Sequence, residues 1–275
     1  MRKLFVVFFL LPALSSVSQV KQLFEIGFTQ GTSEYQGDLK PQVSFGGYQN
    51  FTEIWGKKVI SPYFGFKAGL SRATLSGFDA NSNQPWQERR NLSFTNVATR
   101  LSFSTEFHFR AYKPQIIGAR FTPYLNLGLS VVNHSPFAVF QNTDIDLREQ
   151  GTEGQNFLRS GSLRPYSRFA VALPISGGIK TSLGGPWALA LEVGVTHTTT
   201  DYLDDVSSSF PGRKNFEIEK QRGAIKYSDR SAEIGQAEFV SGKQRGVANL
   251  NDAYYYAGVT LIYSIFTGKC AAFQR

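Results

Sequence analysis

Residues 100–110 read Arg-Leu-Ser-Phe-Ser-Thr-Glu-Phe-His-Phe-Arg, a stretch in which two kinds of side chain alternate. One face carries Leu101, Phe103 and similar apolar residues, and the other carries charged and small polar residues such as Ser102 and Glu106. A period of two residues is that of a β-strand, because successive side chains of a strand point to opposite faces. This stretch therefore predicts a strand with one apolar and one polar face.

The same alternation recurs along most of the chain. It is clear in residues 24–28, 64–70, 125–131, 169–175, 187–195 and 255–265. Residues 42–51 form a weaker candidate, carried by Val43 and Phe45. Because no segment of useful length follows a helical period, the pattern predicts an all-β chain of eight strands.

The composition of the two faces indicates which one points outward. A soluble lipocalin-like barrel also alternates, but with its apolar face inside. Here the polar face is mostly Gly, Ser, Thr and Ala, which suits the narrow lumen of a small barrel. The apolar face stays free of charge, as a lipid-facing surface requires, since a charge at the bilayer midplane costs about 2–4 kcal/mol. We therefore predict a transmembrane antiparallel β-barrel of eight strands.

The lengths of the connections favour the same fold. Connections after the second, fourth and sixth strands are short, at residues 52–60, 113–120 and 182–186, whereas 75–92, 135–165 and 201–252 are long. Bacterial outer-membrane barrels have short periplasmic turns and long outer loops. The first outer connection, 36–41, is an exception because it is short. If the strand at 42–51 were not real, the long loops would instead face the periplasm.

The N-terminus has the composition of an export signal. Arg2 and Lys3 precede an apolar run, and small residues allow cleavage after Ser18. We therefore expect a signal peptide at 1–18, an outer-membrane barrel at 19–266 and a C-terminal tail at 267–275. Although the net charge of the 275 residues is +8, export makes nucleic acid an improbable partner, and a single cysteine excludes a disulfide framework.

Charged residues on the polar faces of the strands predict a lumen network rather than a channel. A barrel of eight strands has its interior filled by side chains. We expect these charges to pair across the lumen, with a proton or ion path as the alternative. The predicted network contains Glu25, Lys67, Arg100, Glu106, Arg110, Lys180 and Glu192.

Two clusters raise the question of a reactive site. Ser104, Glu106 and His108 share one strand face, but same-face neighbours lie about 7 Å apart, so a lumen hydrogen-bond network is the preferred interpretation over a hydrolase triad. The acidic residues near Asp201 have oxygen ligands suited to calcium, but they lack the glycine and distal glutamate of an EF-hand loop. We predict no catalytic, cofactor-binding or metal site.

Four non-periodic segments resemble one protein family. The first segment, residues 24–39, contains Glu-Ile-Gly followed by Ser-Glu-Tyr-Gln-Gly-Asp-Leu. The second, 120–128, begins with Arg-Phe-Thr-Pro-Tyr-Leu, and the third, 200–206, reads Thr-Asp-Tyr-Leu-Asp-Asp-Val. The fourth is Arg245–Gly246, which precedes Asp252 and Tyr254. In this order they are similar to the DUF6089 family of Bacteroidota outer-membrane barrels, which includes PorG of the type IX secretion system. The last strand also resembles the signal that is read by the barrel-assembly machinery, although a tail follows it.

The resemblance implies a non-enzymatic outer-membrane subunit that supports protein secretion and associates with the periplasmic PorK–PorN ring. Candidate family-motif and partner-contact residues are Tyr35, Gly37, Asp38, Pro123, Tyr124, Asp201, Tyr202, Asp204 and Asp205. Outer-membrane lipid and, during biogenesis, the barrel-assembly machinery are further expected partners. A free-standing structural or adhesive barrel and, less favoured, a lipid-modifying enzyme remain the alternatives.

Overall fold

The computed structural model describes residues 22–41, 49–113, 120–157, 165–248 and 250–267, so the expected signal peptide and most of the expected tail lie outside the described residues. Ten strands are present in this part of the chain. They are β1 (Gln22–Gln36), β2 (Gln49–Ser61), β3 (Phe64–Phe78), β4 (Ser93–His108), β5 (Phe121–Asn133), β6 (Phe137–Phe140), β7 (Thr143–Asp146), β8 (Phe169–Gly184), β9 (Trp187–Thr198) and β10 (Ala253–Thr267). Eight of them form the barrel, whereas β6 and β7 form a hairpin beyond its end.

The pairing register closes the sheet into a barrel. Starting at Val131 of β5, successive paired residues are Leu101, Leu70, Ile54, Phe28, Leu261, Leu189 and Thr181, and the path returns to β5 at Phe121. Phe121 precedes Val131 by ten residues, so the strands are staggered by ten residues around the circle. Such a stagger requires strands tilted by about 35–45° to the barrel axis. The predicted closed antiparallel barrel of eight strands is confirmed.

The second strand lies further along the chain than its alternation suggested. Residues 52–60, which were predicted to be a turn, belong to β2, and most of the predicted strand at 42–51 lies outside the described residues. The prediction was wrong because Glu53, Trp55 and Lys57 point into the lumen, so the polar face of this strand is large and charged rather than small. Because β1 ends at Gln36 and β2 begins at Gln49, twelve residues separate the two strands, which removes the exception in loop length.

The outer wall of the barrel is a belt of exposed apolar side chains. Phe103 and Leu129 are 63% and 65% exposed, whereas Ser102 and Ser130, their neighbours in sequence, are buried in the lumen. All eight barrel strands contribute apolar residues to this belt. The side-chain orientation therefore places the apolar face outside, as the sequence predicts.

The two ends of the barrel differ in the length of their connections. At one end, which we call the turn end, the connections are residues 62–63, 109–120 and 185–186. The first residue of β1 and the last residue of β10 also lie at this end. The long connections at the opposite end form a cap over the barrel, in which the helices are α1 (Pro85–Arg90), α2 (Leu147–Gln150), α3 (Arg213–Ile218) and α4 (Ile225–Ser228). None of the helices in the described residues is long and apolar enough to cross a membrane.

Candidate functional site

A cluster of alternating charges fills the lumen near the turn end. Lys57 Nζ lies 2.5 Å from both Glu25 Oε2 and Glu106 Oε1. Lys180 Nζ contacts the same two carboxylates at 3.2 and 2.6 Å. Glu106 Oε1 is also 2.6 Å from His108 Nε2. Each charge is therefore compensated by opposite charges on other strands, and Glu106 is the centre of the cluster.

A second cluster surrounds Glu53, closer to the cap. Its carboxylate accepts hydrogen bonds from Lys67 Nζ at 3.0 Å and from Arg100 Nη2 at 3.2 Å. Arg100 also donates to Thr196 Oγ1 at 2.6 Å and to Ser71 Oγ at 3.1 Å. All of these side chains are buried. The guanidinium thus joins three strands across the lumen.

Glu192 is held mainly by phenols. Its carboxylate oxygens accept from Tyr124 at 2.7 Å and from Tyr256 at 2.8 Å, and Lys67 Nζ lies 4.0 Å away. The Tyr256 ring also stacks on Phe51 at a centroid distance of 4.4 Å. Polar contacts and aromatic packing therefore close the middle of the lumen together.

The described barrel strands place equal numbers of acidic and basic side chains in this lumen network, not counting His108. They are Glu25, Glu53, Glu106, Glu192, Lys57, Lys67, Lys180 and Arg100. Removing one partner of a buried ion pair typically costs about 3–5 kcal/mol, because the other charge is left uncompensated. The network consequently ties the strands together through ion pairs across the lumen.

Six of the seven predicted lumen charges lie in this network. The expectation for Arg110 was wrong: β4 ends at His108, so the alternation does not continue to Arg110, and that side chain is exposed. Sequence reasoning missed Glu53 and Lys57, because both lie in the segment predicted to be a turn. The signal that could have found them is the alternation of Phe51, Glu53, Trp55 and Lys57 with smaller or aliphatic neighbours.

Tyr112 closes the lumen at the turn end. Its ring is buried, packs edge-on against His108 at 5.5 Å and lies 5.4 Å from Lys180 Nζ. The backbone N–H of Tyr112 donates to the carbonyl of Pro62 at 3.0 Å, which fixes the chain beside the turn between β2 and β3. The segment after β4 therefore crosses the mouth of the barrel rather than extending away from it.

The Ser104, Glu106 and His108 group is not arranged as a hydrolase triad. His108 Nε2 contacts Glu106, and its Nδ1 lies 3.0 Å from the carbonyl of Pro62, so both ring nitrogens are engaged with groups other than Ser104. A triad needs one imidazole nitrogen to accept the serine proton. The preferred interpretation of a lumen hydrogen-bond network agrees with this geometry.

The cap contains a second buried polar network, centred on Tyr35 at the end of β1. Tyr35 Oη donates to Asp204 Oδ2 at 2.6 Å and contacts Asp252 Oδ1 at 2.8 Å. Asp252 also accepts from the Leu203 backbone N–H at 2.8 Å. Burial raises the pKa of both carboxyl groups well above the ordinary value, and repulsion from neighbouring carboxylates raises it further. The cap therefore holds a close pair of acidic groups bridged by one phenol.

Arg245 organises the opposite side of this network. Its guanidinium donates to Glu153 Oε1 at 2.9 Å and to the carbonyl of Ser228 at 3.2 Å, and it contacts both the carbonyl and the carboxylate of Asp205. Asp205 also accepts from Tyr166 Oη at 2.8 Å, while burial raises its pKa to about 6. One arginine thus joins distant parts of the last long connection to each other and to the connection that contains Glu153.

Arg90, at the end of α1, joins the first connection to the last one. It forms a bidentate ion pair with Asp79 at 2.6 and 2.7 Å and donates to the carbonyls of Asp38 and Arg245. Asp38 Oδ2 in turn accepts from the Val247 N–H at 2.9 Å. The cap is therefore cross-linked by buried polar side chains throughout.

The structure brings most family-motif residues together, but inside the cap rather than on its surface. The residues Tyr35, Asp201, Asp204 and Asp205 are buried, Gly37, Asp38 and Tyr202 are half-buried within the cap, and Pro123 and Tyr124 lie on β5. A Cβ atom on Gly37 would come within 2.0 Å of both Tyr35 Oη and Asp252 Oδ1, so this glycine makes room for their contact. No three His, Cys, Asp or Glu side chains of the described residues are placed to hold a metal ion.

Comparisons with known proteins give one family match and several structural similarities. A family model described as Domain of unknown function (DUF6089) matches residues 2–232, and no curated protein matches the chain significantly. The solved structure of Neisserial surface protein A is 9% identical, with 87% of this chain and 96% of that chain covered and a TM-score of 0.43. OprG from Pseudomonas aeruginosa is 9% identical (90% and 96% covered, TM-score 0.40), and Ail of Yersinia pestis is 6% identical (89% and 100% covered, TM-score 0.40).

Proposed function

Because the chain belongs to the DUF6089 family, we propose that it is a non-enzymatic outer-membrane barrel that serves protein secretion as an assembly subunit. The observation that carries the membrane placement is the belt of exposed apolar side chains. Phe103, Leu129 and Val193 are each more than three-fifths exposed, which is costly in water and favourable in lipid. Each barrel strand has 12 to 16 residues, which exceeds the 9–11 that a tilted strand needs to cross the hydrocarbon layer.

The filled lumen of the barrel favours a structural role over a transport role. The charges of the lumen are paired, and Tyr112 and the cap cover the two ends. Porins of 16 or more strands leave an aqueous channel, whereas a barrel of eight strands is filled by its own side chains. The molecule therefore presents surfaces to partners instead of a path for solutes.

The specific role that we propose is that of a subunit of the type IX secretion system, in contact with the periplasmic PorK–PorN ring. Short turns and chain termini lie on the periplasmic side of bacterial barrels, so the turn end would face that ring. The family-motif residues of the cap are buried and would act by shaping the cap. The same proposal includes export by the expected signal peptide at 1–18 and recognition of the last strand by the barrel-assembly machinery.

Affinity purification of the tagged protein from crosslinked, mildly solubilised outer membranes tests this role. We expect mass spectrometry to identify the PorK and PorN ring proteins, and a strain that lacks the barrel should lose secretion of the system's substrates. Recovery of the barrel alone, with normal secretion in the deletion strain, would refute the secretion role and leave the membrane barrel standing.

A second candidate is a free-standing surface barrel that binds a partner through its cap. The observation that favours it is the exposure of apolar side chains there, since Trp86 is 43%, Ile234 48% and Val240 66% exposed. Isolated exposed apolar residues are common on protein surfaces, so this feature is less informative than the family membership. Loss of adhesion with normal secretion after substitution of Trp86 would select this candidate.

A further inference from the structure

The turn end of the barrel has a one-sided charge. Lys58, Arg110 and Lys113 are exposed there and Arg120 is half-buried. The described residues of the turns and strand ends on this side, 56–66, 107–113, 120–123, 179–190 and 260–267, contain no aspartate or glutamate. The nearest carboxylates, Glu25 and Glu106, are buried in the lumen and already paired with lysines. Within the part of the chain that the structure describes, this end therefore presents positive charge without compensation.

The position of Tyr112 decides which way these charges face. Its buried ring lies over His108 and Lys180, and its N–H is bonded to Pro62, so the chain at Arg110–Lys113 runs across the mouth of the barrel. Neighbouring side chains of a segment anchored in this way point away from the lumen. Arg110 and Lys113 are consequently exposed to the aqueous space below the mouth, whereas Lys58 lies on the outer wall of β2.

We propose that Arg110, Lys113 and Arg120, which we call the basic mouth, form a docking site for an acidic surface of a periplasmic protein. This inference rests on the proposed orientation and adds the chemistry of the partner. Lipid surrounds the wall of a barrel and does not cover its mouth, so phosphate head groups account for Lys58 but not for the basic mouth. A protein surface rich in carboxylates would supply the missing counter-charges.

The proposal predicts a characteristic salt dependence. Exposed charge pairs are screened at separations beyond the Debye length, which is about 8 Å at physiological ionic strength. Complementary charges at the edge of an interface mainly accelerate association. Binding through the basic mouth should therefore weaken steeply with added salt, chiefly through a slower association rate.

The test uses the full barrel in nanodiscs of phosphatidylcholine and two probes, a decaglutamate peptide and the purified PorK–PorN ring. The test variant carries Arg110→Glu and Lys113→Glu, and the matched control carries Lys214→Glu and Lys243→Glu, two exposed lysines of the cap. We expect the test variant to bind both probes about tenfold more weakly or worse, with the control unchanged. A heat-modifiability assay shows that each variant is folded.

Peptide binding that is equal in the wild type and the test variant, or absent from the wild type, would overturn the docking site. Peptide binding that depends on the basic mouth, without any binding of the ring, would retain the docking site and refute the secretion role. A change confined to the retention of phosphatidylglycerol, in discs that contain it, would assign these cations to lipid and also overturn the proposal.

Discussion

Gly27 of β1 lies directly across from Trp55 of β2, so that the indole ring covers the glycine. A Cβ atom on Gly27 would lie 2.2 Å from the ring. Tyr124 and Tyr256 cover the paired glycines of neighbouring strands in the same way. Glycines of the lumen therefore make room for the large rings that fill it, which explains why the inward faces combine very small residues with aromatic ones.

The first prediction concerns this contact. Gly27→Ala adds a methyl group that overlaps sterically with the indole ring of Trp55. The substitution should destabilise the barrel by about 1–3 kcal/mol, the usual cost of overpacking a core. Urea unfolding in detergent, followed by tryptophan fluorescence, measures the change. Gly56→Ala is the matched control, because Gly56 lies on the outer face of β2 with no atom within 4 Å of its Cβ position. Equal stability of both variants would contradict the tight packing.

The second prediction concerns the phenol that bridges the acidic pair of the cap. Tyr35→Phe removes both hydrogen bonds and leaves Asp204 and Asp252 facing each other without the phenol between them. A hydrogen bond contributes about 0.5–1.5 kcal/mol, so the loss of two should accelerate amide exchange in residues 201–206 about tenfold or more. Tyr255→Phe is the control, since its hydroxyl bonds only to the half-buried Gln36 side chain. Unchanged exchange in Tyr35→Phe would show that the bridge does not hold the cap.

The third prediction follows from the raised pKa values of the cap. Burial raises the pKa of Asp205 to about 6, and the pKa of Asp204 and Asp252 is raised well above the ordinary value. A carboxyl group with a raised pKa binds its proton more tightly in the folded state, so its contribution to stability is complete below about pH 4 and declines as the pH rises. The cap should therefore become more sensitive to protease between about pH 4 and pH 7.

The control for the pH dependence is Asp204→Asn, which keeps the shape of the side chain but cannot ionise. This variant should show a flatter dependence of proteolysis on pH than the wild type does. Protease activity must be normalised with an unfolded peptide at each pH. A cap that becomes more resistant as the pH rises would have the opposite sign and would contradict the raised pKa values.

The fourth prediction compares two adjacent lysines of β2. Lys57 points into the lumen between Glu25 and Glu106, whereas Lys58 points outward. Lys57→Met leaves two buried carboxylates short of a partner and should cost about 3–5 kcal/mol, while Lys58→Met should be close to neutral. The folded fraction after refolding into detergent, read by heat-modifiable electrophoresis, distinguishes them. If Lys58→Met were the more destabilising of the two substitutions, the register of β2 would have to differ by one residue.

The sequence was sufficient for the barrel because alternation is a local property. The segment around Phe103 shows its two faces without any knowledge of its neighbours, and the structure confirms the fold. The same rule failed at β2, where Glu53 and Lys57 make the inward face look like a polar turn. The convergence of Tyr35, Asp204 and Asp252 could not be derived from alternation, since it depends on how long connections fold over the barrel.

The fifth prediction tests the outward orientation of the belt. Phe103 is exposed on the wall of β4, and Ser102 beside it is buried in the lumen with a hydrogen bond to the carbonyl of Gly69. Phe103→Arg places a charge in the apolar belt and should lower the stability of the inserted barrel by about 2–4 kcal/mol, whereas Ser102→Ala removes a single weak contact. Insertion into lipid vesicles, read by heat-modifiable electrophoresis and by protease protection of the barrel strands, measures the difference. If the outer wall faced water instead of lipid, an arginine at position 103 would be hydrated and would cost little. Equal folding of the two variants would therefore refute the membrane placement.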